Sequence, residues 1–252
     1  MKVSYSRIGT FKQCPYQYYL RYIKGYKTKF NLDYENALVL GTALHTGIEK
    51  SVEDAIRYYY GQYPTVNRKH ILEAYKLEQL IPKVKAILPN GIYEQPIEDD
   101  DFIGYMDLLV DIGHGFYDLY DFKYTNNIKN YLEKSQLQVY KHEFEKRHPN
   151  KFIHKMYFVF VPKIKQKRGE SDEDYEARLK IELEQAKIEI VEIKHDKTKV
   201  DEFWKDAEEC KQCTDFSKNQ NYLCNWCDYK RYCESNGQND SNIIYPEDTK
   251  ED

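Results

Sequence analysis

No apolar run in this chain approaches the ~20 residues that a membrane helix needs, so no spanning segment is expected. No apolar stretch follows the opening Met-Lys-Val-Ser-Tyr-Ser, and a secretory leader is not expected either. No Gly-x-x-x-x-Gly-Lys-Ser/Thr loop is present, which excludes a nucleotide-driven motor of that type on this chain. There is no internal repeat. Nor is positive charge in excess: the formal net charge is −4. The imbalance is local, because residues 234–252 hold six acids against Lys250, leaving the rest of the chain at +1. A basic channel can exist on such a surface, but overall charge gives no argument for a polyanionic ligand.

What is present fits a globular protein of 252 residues, with 41% hydrophobic and 32% charged side chains. The 25 tyrosines are able to stack on unpaired bases; their commoner use is in the core and on half-buried surface. A cytoplasmic setting is the default, and there six cysteines point to metal rather than to disulfides. Five of the six crowd into residues 210–233, while Cys14 stands alone near the start.

Helical periodicity predicts helices over 4–24, 38–60 and 67–87. The period then changes to that of strands over 92–98, 102–112 and 115–124, with Asp111-Ile112-Gly113-His114-Gly115 as a turn. A helix over 130–147 leads to a buried strand over 152–162, a charged loop and helix over 164–186, an edge strand over 187–194 and a helix over 198–212. This order predicts an α/β core with a central mixed β-sheet flanked by helices. Residues 1–235 are read as one domain and the polar, acidic stretch 236–252 as a disordered tail.

The most informative segments are Gly104-Tyr105-Met106-Asp107 and Asp121-Phe122-Lys123. Alternate residues of a strand share a face, so Asp121 and Lys123 project together and Phe122 packs behind them. Asp107 lies on the preceding strand and can come alongside Asp121. Two carboxylates on neighbouring strands suit a hard cation such as Mg²⁺ or Mn²⁺. A lysine two positions on can hold or deprotonate a water beside it, and the backbone carbonyl of Phe122 can fill another coordination position. Phosphodiester hydrolysis uses such groups. The plain alternative is a hairpin carrying solvent-facing charges. His45 and Glu49 share a helix face, which makes His45 a candidate third ligand or a structural histidine. Gln136 and Tyr140 share a face of the helix after Lys123, either orienting the lysine or packing with Leu137 and Phe144.

Gly41-Thr42-Ala43-Leu44-His45, Gly104-x-x-Asp107, Asp121-Phe122-Lys123 and Gln136-x-x-x-Tyr140 resemble, in order, four motifs of the RecB-like PD-(D/E)XK nucleases. The resemblance implies a restriction-endonuclease-like core in which His45, Asp107 and Asp121 bind the catalytic metal. It implies that Lys123 is the catalytic lysine and that Gln136 and Tyr140 shape the DNA site.

Cys224-Asn-Trp-Cys227 and Cys233 form C-x₂-C-x₅-C, and the opening helix supplies Cys14-Pro15. A distant first thiolate with three grouped ones is feasible for an iron–sulfur cluster if the chain ends meet. The pattern, with Ser6, Phe11, Cys14-Pro15 and Tyr18, resembles the iron–sulfur branch of these nucleases. That branch includes the AddB nuclease domain, the CRISPR-adaptation exonucleases and a eukaryotic replication helicase–nuclease. It implies a [4Fe–4S] cluster on Cys14, Cys224, Cys227 and Cys233, with residues 1–30 and 205–235 joined as a staple. A competing zinc site would use Cys210, Cys213, Cys224 and Cys227 in a C-x₂-C-x₁₀-C-x₂-C pattern and leave Cys14 and Cys233 unused.

The expected function is therefore metal-dependent DNA hydrolysis. The resemblance implies an exonuclease acting on single strands or ends in recombination, repair, or phage or CRISPR DNA processing, in the cell's or a phage host's cytoplasm. With no motor on this chain, a separate helicase or processing partner would unwind duplex. The alternatives are a non-catalytic DNA-binding or scaffolding subunit and a zinc-ribbon binding protein.

Overall fold

The computed structural model describes residues 2–249. It begins with helices α1 (Tyr5–Gln13) and α2 (Pro15–Tyr18), a π-helical turn (Tyr19–Ile23) and strand β1 (Lys27–Thr28). Helices α3 (Ala37–Glu49), α4 (Val52–Gly61) and α5 (Arg68–Ile87) follow, then strands β2 (Ile92–Glu98), β3 (Ile103–Gly113) and β4 (Phe116–Tyr124). Next come α6 (Lys129–Leu132), α7 (Gln136–Arg147), β5 (Phe152–Val161), α8 (Asp172–Gln185) and β6 (Glu189–Ile193). The chain ends with α9 (Lys197–Gln212), a 3-10 helix (Tyr222–Trp226), α10 (Lys230–Glu234), β7 (Ile243–Ile244) and a 3-10 turn (Pro246–Thr249). It divides into two compact units, one of Leu32–Ile97 and Tyr105–Asp196, the other of Met1–Asn31, Glu98–Gly104 and Lys197–Asp252.

The first of these units is built on the sheet, whose strand order is β2-β3-β4-β5-β6. β3 and β4 pair antiparallel, β4 and β5 parallel, and β5 and β6 antiparallel. This is the mixed sheet of a restriction-endonuclease-like α/β core. The parallel step needs a crossover, and α6 and α7 supply it. Leu108, Val110, Tyr120, Phe122, Val159 and Val161 pack on one face with Leu44, Ile48, Leu77, Ile81 and Leu179 from the helices. Each such aliphatic side chain, removed from water, contributes about 1.5–3 kcal/mol. Helix α3 approaches α5 closely at Gly47, where a Cβ would collide with Ile81 and stand 2.9 Å from that of Ala55. The β3–β4 turn bends through Gly113 at φ 93° and Gly115 at φ 80°, and a Cβ on Gly115 would strike the Asn150 carbonyl.

Three expected helices are each broken, for local reasons. Cys14 is extended, at φ −160° and ψ 107°, because the ring of Pro15 disfavours the α region for the residue before it. Ser51 accepts from the Asp54 N–H at 3.1 Å and caps a new helix, so 38–60 becomes α3 and α4. The segment 130–147 becomes α6 and α7, parted at Glu133–Ser135.

In the other unit α1 runs against α9, with Tyr5 stacked on Phe203 at 6.0 Å and Lys12 paired to Asp206 at 2.8 Å. Leu20, Tyr229 and Ile243 make a small core, and the Tyr229 hydroxyl donates to the Tyr26 carbonyl at 2.6 Å. Within 236–249, part of the stretch expected to be a disordered tail, Ile243 and Ile244 pair antiparallel with Thr28 and Lys27. The remainder of that tail, residues 250–252, lies outside the described residues.

The structure corrects the expected iron–sulfur element. Among the described residues, the His, Cys, Asp and Glu donor atoms that converge within 4.8 Å of one another belong to His45, Glu94 and Asp107, and no cysteine is among them. The [4Fe–4S] ligand set of Cys14, Cys224, Cys227 and Cys233 is not formed, although all four line one pocket of about 320 Å³. All six cysteines are free thiols. Burial pushes the Cys227 and Cys233 thiols up. The metal-ligand geometry here is instead that of carboxylates and imidazole.

Candidate active site

Strand β4 supplies two of the site's groups by its period of two. Phe122 faces the helix-covered core, so Asp121 and Lys123 face the other way. Asp121 is 1% exposed, and its Oδ1 has no hydrogen-bond partner. Lys123 Nζ makes an ion pair with Asp121 Oδ2 and donates to Gln136 Oε1 at 3.2 Å. Gln136 Nε2 in turn points to the Tyr140 hydroxyl at 3.4 Å, one turn further along α7.

Strand β3 brings Asp107 alongside. Its Oδ2 accepts the Phe122 N–H at 2.7 Å, which locks the carboxylate to β4 and leaves Oδ1 turned towards His45. His45 comes from α3. Its Nε2 stands 3.1 Å from the Phe122 carbonyl, and its Nδ1 is 3.6 Å from Asp107 Oδ1 and 3.8 Å from Glu94 Oε1. A carbonyl can only accept, so Nε2 carries the proton of that bond. Nδ1 is thereby the imidazole atom aimed at the carboxylates.

Glu94 completes the convergent set, and the motif reading passed over it. It sits near the start of β2 in the left-handed region, at φ 49°, a conformation that costs a non-glycine residue of order 1 kcal/mol and gathers at functional sites. The available signal was topological: β2 neighbours β3 in the meander, so an acid there lies one strand from Asp107. Glu49, although one turn from His45, is not part of the set.

The charges are strongly interdependent. Burial, and then the neighbouring Asp121, push Asp107 up to about 7. Burial works against a charged His45, but Asp107, Glu94 and Asp121 outweigh it and raise the imidazole to about 9. Burial likewise opposes Lys123, yet Asp121 and Asp107 hold it well above the ordinary lysine range. Burial and then Asp121 push Tyr140 up to about 12. A second lysine stands nearby. Lys134 Nζ lies 4.3 Å over the Tyr131 ring, and Lys123 Nζ lies 5.6 Å from that same ring. Tyr131 is held edge-on by Phe158 and Phe160. Burial and then Lys123 lower Lys134.

These residues fit a divalent cation. The two carboxylates of Glu94 and Asp107 and an imidazole nitrogen of His45 make a hard, mostly oxygen donor set of the kind Mg²⁺ and Mn²⁺ take; Asp121, paired to Lys123, lies outside that set. Without a cation two buried carboxylates face each other, and the raised Asp107 and His45 register that repulsion and its compensation by protons.

Residues 2–234 match the family model of the PD-(D/E)XK nuclease superfamily, a match that runs across both units. Among solved structures, the chain is similar to a candidate exonuclease from Eubacterium rectale. The identity is 12%, over 89% of this chain and 92% of that one, with a TM-score of 0.51, a likeness of fold alone. The protein SSO0001 aligns over 93% of this chain and 86% of its own at 14% identity, with a TM-score of 0.41. No curated protein sequence matches significantly. Among the described residues, no helix is long and apolar enough to cross a membrane.

Proposed function

Since this chain belongs to the PD-(D/E)XK nuclease superfamily, we propose that it is a metal-dependent nuclease that hydrolyses DNA phosphodiester bonds. The observation that carries this is the meeting of His45, Glu94 and Asp107, with buried Asp121 ion-paired to Lys123 on the strand next to that of Asp107. His45, Glu94, Asp107 and Asp121 would hold Mg²⁺ or Mn²⁺. The Phe122 carbonyl, which accepts from His45 Nε2, has a second lone pair to offer the same ion. When bound, the ion polarises the scissile phosphate and lowers the pKa of a coordinated water.

The protein groups divide the remaining work. Lys123, paired to Asp121, acts by charge and hydrogen bonding. It orients the attacking water and stabilises charge gathering on the phosphate. Gln136 fixes the direction of the Lys123 ammonium, and Tyr140 fixes Gln136. Lys134 on Tyr131 adds a second cation for the substrate backbone. His45 would offer Nδ1 to the ion, and its Nε2–H to the Phe122 carbonyl keeps the ring turned towards the carboxylates.

The finer reading is an exonuclease of the RecB-like branch that acts on single-stranded DNA or DNA ends. It would serve recombination, repair or phage or CRISPR DNA processing in the cytoplasm, with a separate helicase wherever duplex must be opened. The four ordered motifs and the absence of a phosphate-binding loop support it. We take residues 1–235 to work as one nuclease domain. The test is cleavage of end-labelled single-stranded and duplex DNA with Mg²⁺, Mn²⁺ or EDTA, by wild type and Asp121→Ala. Metal-dependent cleavage by wild type alone is expected, with a product ladder that separates end from internal attack. No cleavage under any condition would leave a DNA-binding subunit as the better reading.

A further inference from the structure

Among the described residues, the two most exposed large apolar side chains are Trp226 at 74% and Tyr222 at 72%. They are the last and first residues of one 3-10 helix, and their rings meet edge to face at 6.2 Å and 81°. The helix beneath them is fixed at both ends. Asn221 Oδ1 accepts the Leu223 N–H at 2.9 Å at its start, and the Cys227 N–H donates to the Cys224 carbonyl at 3.2 Å at its end. Two large rings are therefore presented to solvent on a defined scaffold.

The surroundings indicate what such rings would meet. From Phe216 to Cys227 the chain carries Lys218 and no carboxylate; Asp215 and Asp228 bound that stretch, and Lys230 and Arg231 come two residues after Asp228. Lys230 Nζ donates to Asn225 Oδ1 at 3.0 Å and lies 3.8 Å from Glu234 Oε1, which sets an exposed cation and an amide beside Trp226. Exposed π faces fringed by cations and amides suit a strand of unpaired nucleotides. Bases stack on the rings and phosphates pair with the lysines. A protein-binding patch would call for further apolar side chains around the two rings. The fringe here is polar, with Asn219, Gln220, Asn225, Lys230 and Asp228 about the rings.

We propose that Tyr222 and Trp226 are a stacking platform for unpaired bases of single-stranded DNA, with Lys230 reaching the adjoining phosphate. The two rings stand nearly perpendicular, so each takes its own base rather than sandwiching one. The identity of the ligand rests on the nuclease reading; the placement of the rings does not.

Trp226 is one of two tryptophans, and the other, Trp204, packs against Phe203 and Phe102 at 5.5 and 6.2 Å. Oligodeoxythymidylate titrated into the full chain in EDTA should quench tryptophan emission. Trp226→Phe should lose the quench while still binding the strand. Tyr222→Ala and Trp226→Ala should each weaken binding about 5- to 100-fold. Asp121→Ala, inactive under the nuclease reading, should keep the full quench. Unchanged affinity in both alanine variants would overturn the platform, as would binding without any Trp226 quench; metal-dependent cleavage by wild type would then leave the nuclease reading standing. A change in sedimentation of the free protein on Tyr222→Ala, with DNA affinity intact, would mark the rings as a self-association surface and also overturn it. Wild type that neither binds nor cleaves DNA would overturn both.

Discussion

The β3–β4 hairpin and the cysteine-rich C-terminal segment both presented metal-ligand spacings; among the described residues the hairpin contributes Asp107 to the convergent donor set, with His45 and Glu94, and the cysteine segment contributes none. Asp121 and Lys123 are bound to one face of a paired strand by the pleat, and Asp107 is tied to Phe122 by a 2.7 Å hydrogen bond. Spacing on a paired strand thus fixes donor positions to within the tolerance a cation requires. Cys224, Cys227 and Cys233 sit on a 3-10 turn, its cap and a five-residue helix, where spacing constrains direction far less. There the donor atoms share a pocket without reaching mutual ligand distance.

The sharpest way to break this contrast is Lys123→Ala. Loss of its charge next to the scissile phosphate should lower cleavage roughly 10²–10⁴-fold while DNA binding in EDTA stays near wild type. Cleavage within a few-fold of wild type in a single-turnover assay would remove Lys123 from the mechanism. Glu94→Gln tests the ligand that motif reading missed. Mn²⁺ affinity, measured by calorimetry, should fall at least about tenfold, and an unchanged affinity would make Glu94 a bystander.

The protons of the site give a third test, with opposite signs for two observables. His45 is raised from 6.5 to about 9, so its contribution to metal-free stability is complete below 6.5 and lost as pH rises through 9. Asp107 is raised from 3.8 to about 7, so its contribution is complete below 3.8 and gone above 7. Metal-free thermal stability should therefore decline between about pH 4 and 9 from these two groups, while Mn²⁺ affinity rises between about pH 6 and 9 as the protons leave. A Mn²⁺ affinity flat across that range would contradict the assigned donors. The smallest effect is expected of Cys224→Ser, a partly exposed thiol outside the convergent set, at within about 0.5 kcal/mol in denaturant melts. Stoichiometric iron in the purified protein, lost in that variant, would break the contrast outright.

Much of the core was legible in the sequence because its determinants are short-range. The alternation in β3 and β4 marked Asp107, Asp121 and Lys123 as candidates to meet, and the i, i+4 spacing of Gln136 and Tyr140 placed them on one face of α7. Other features depend on single residues that periodicity ignores: Pro15 ends α1 at Cys14, and Ser51 starts α4 in the middle of an apolar stripe. Glu94 escaped because its role depends on which strand β2 lies beside and on a left-handed backbone, neither of which a spacing records. Lys134 escaped because its place is set by the Tyr131 ring, which Phe158 and Phe160 hold from another strand.

The most direct test of the account is the rate of cleavage of an end-labelled strand as a function of Mn²⁺, for wild type and Asp107→Ala, with Mn²⁺ binding followed in the same samples. The account predicts that wild-type cleavage rises with site occupancy and that Asp107→Ala loses both together. Cleavage that persists in Asp107→Ala, or that runs independently of Mn²⁺, would contradict it.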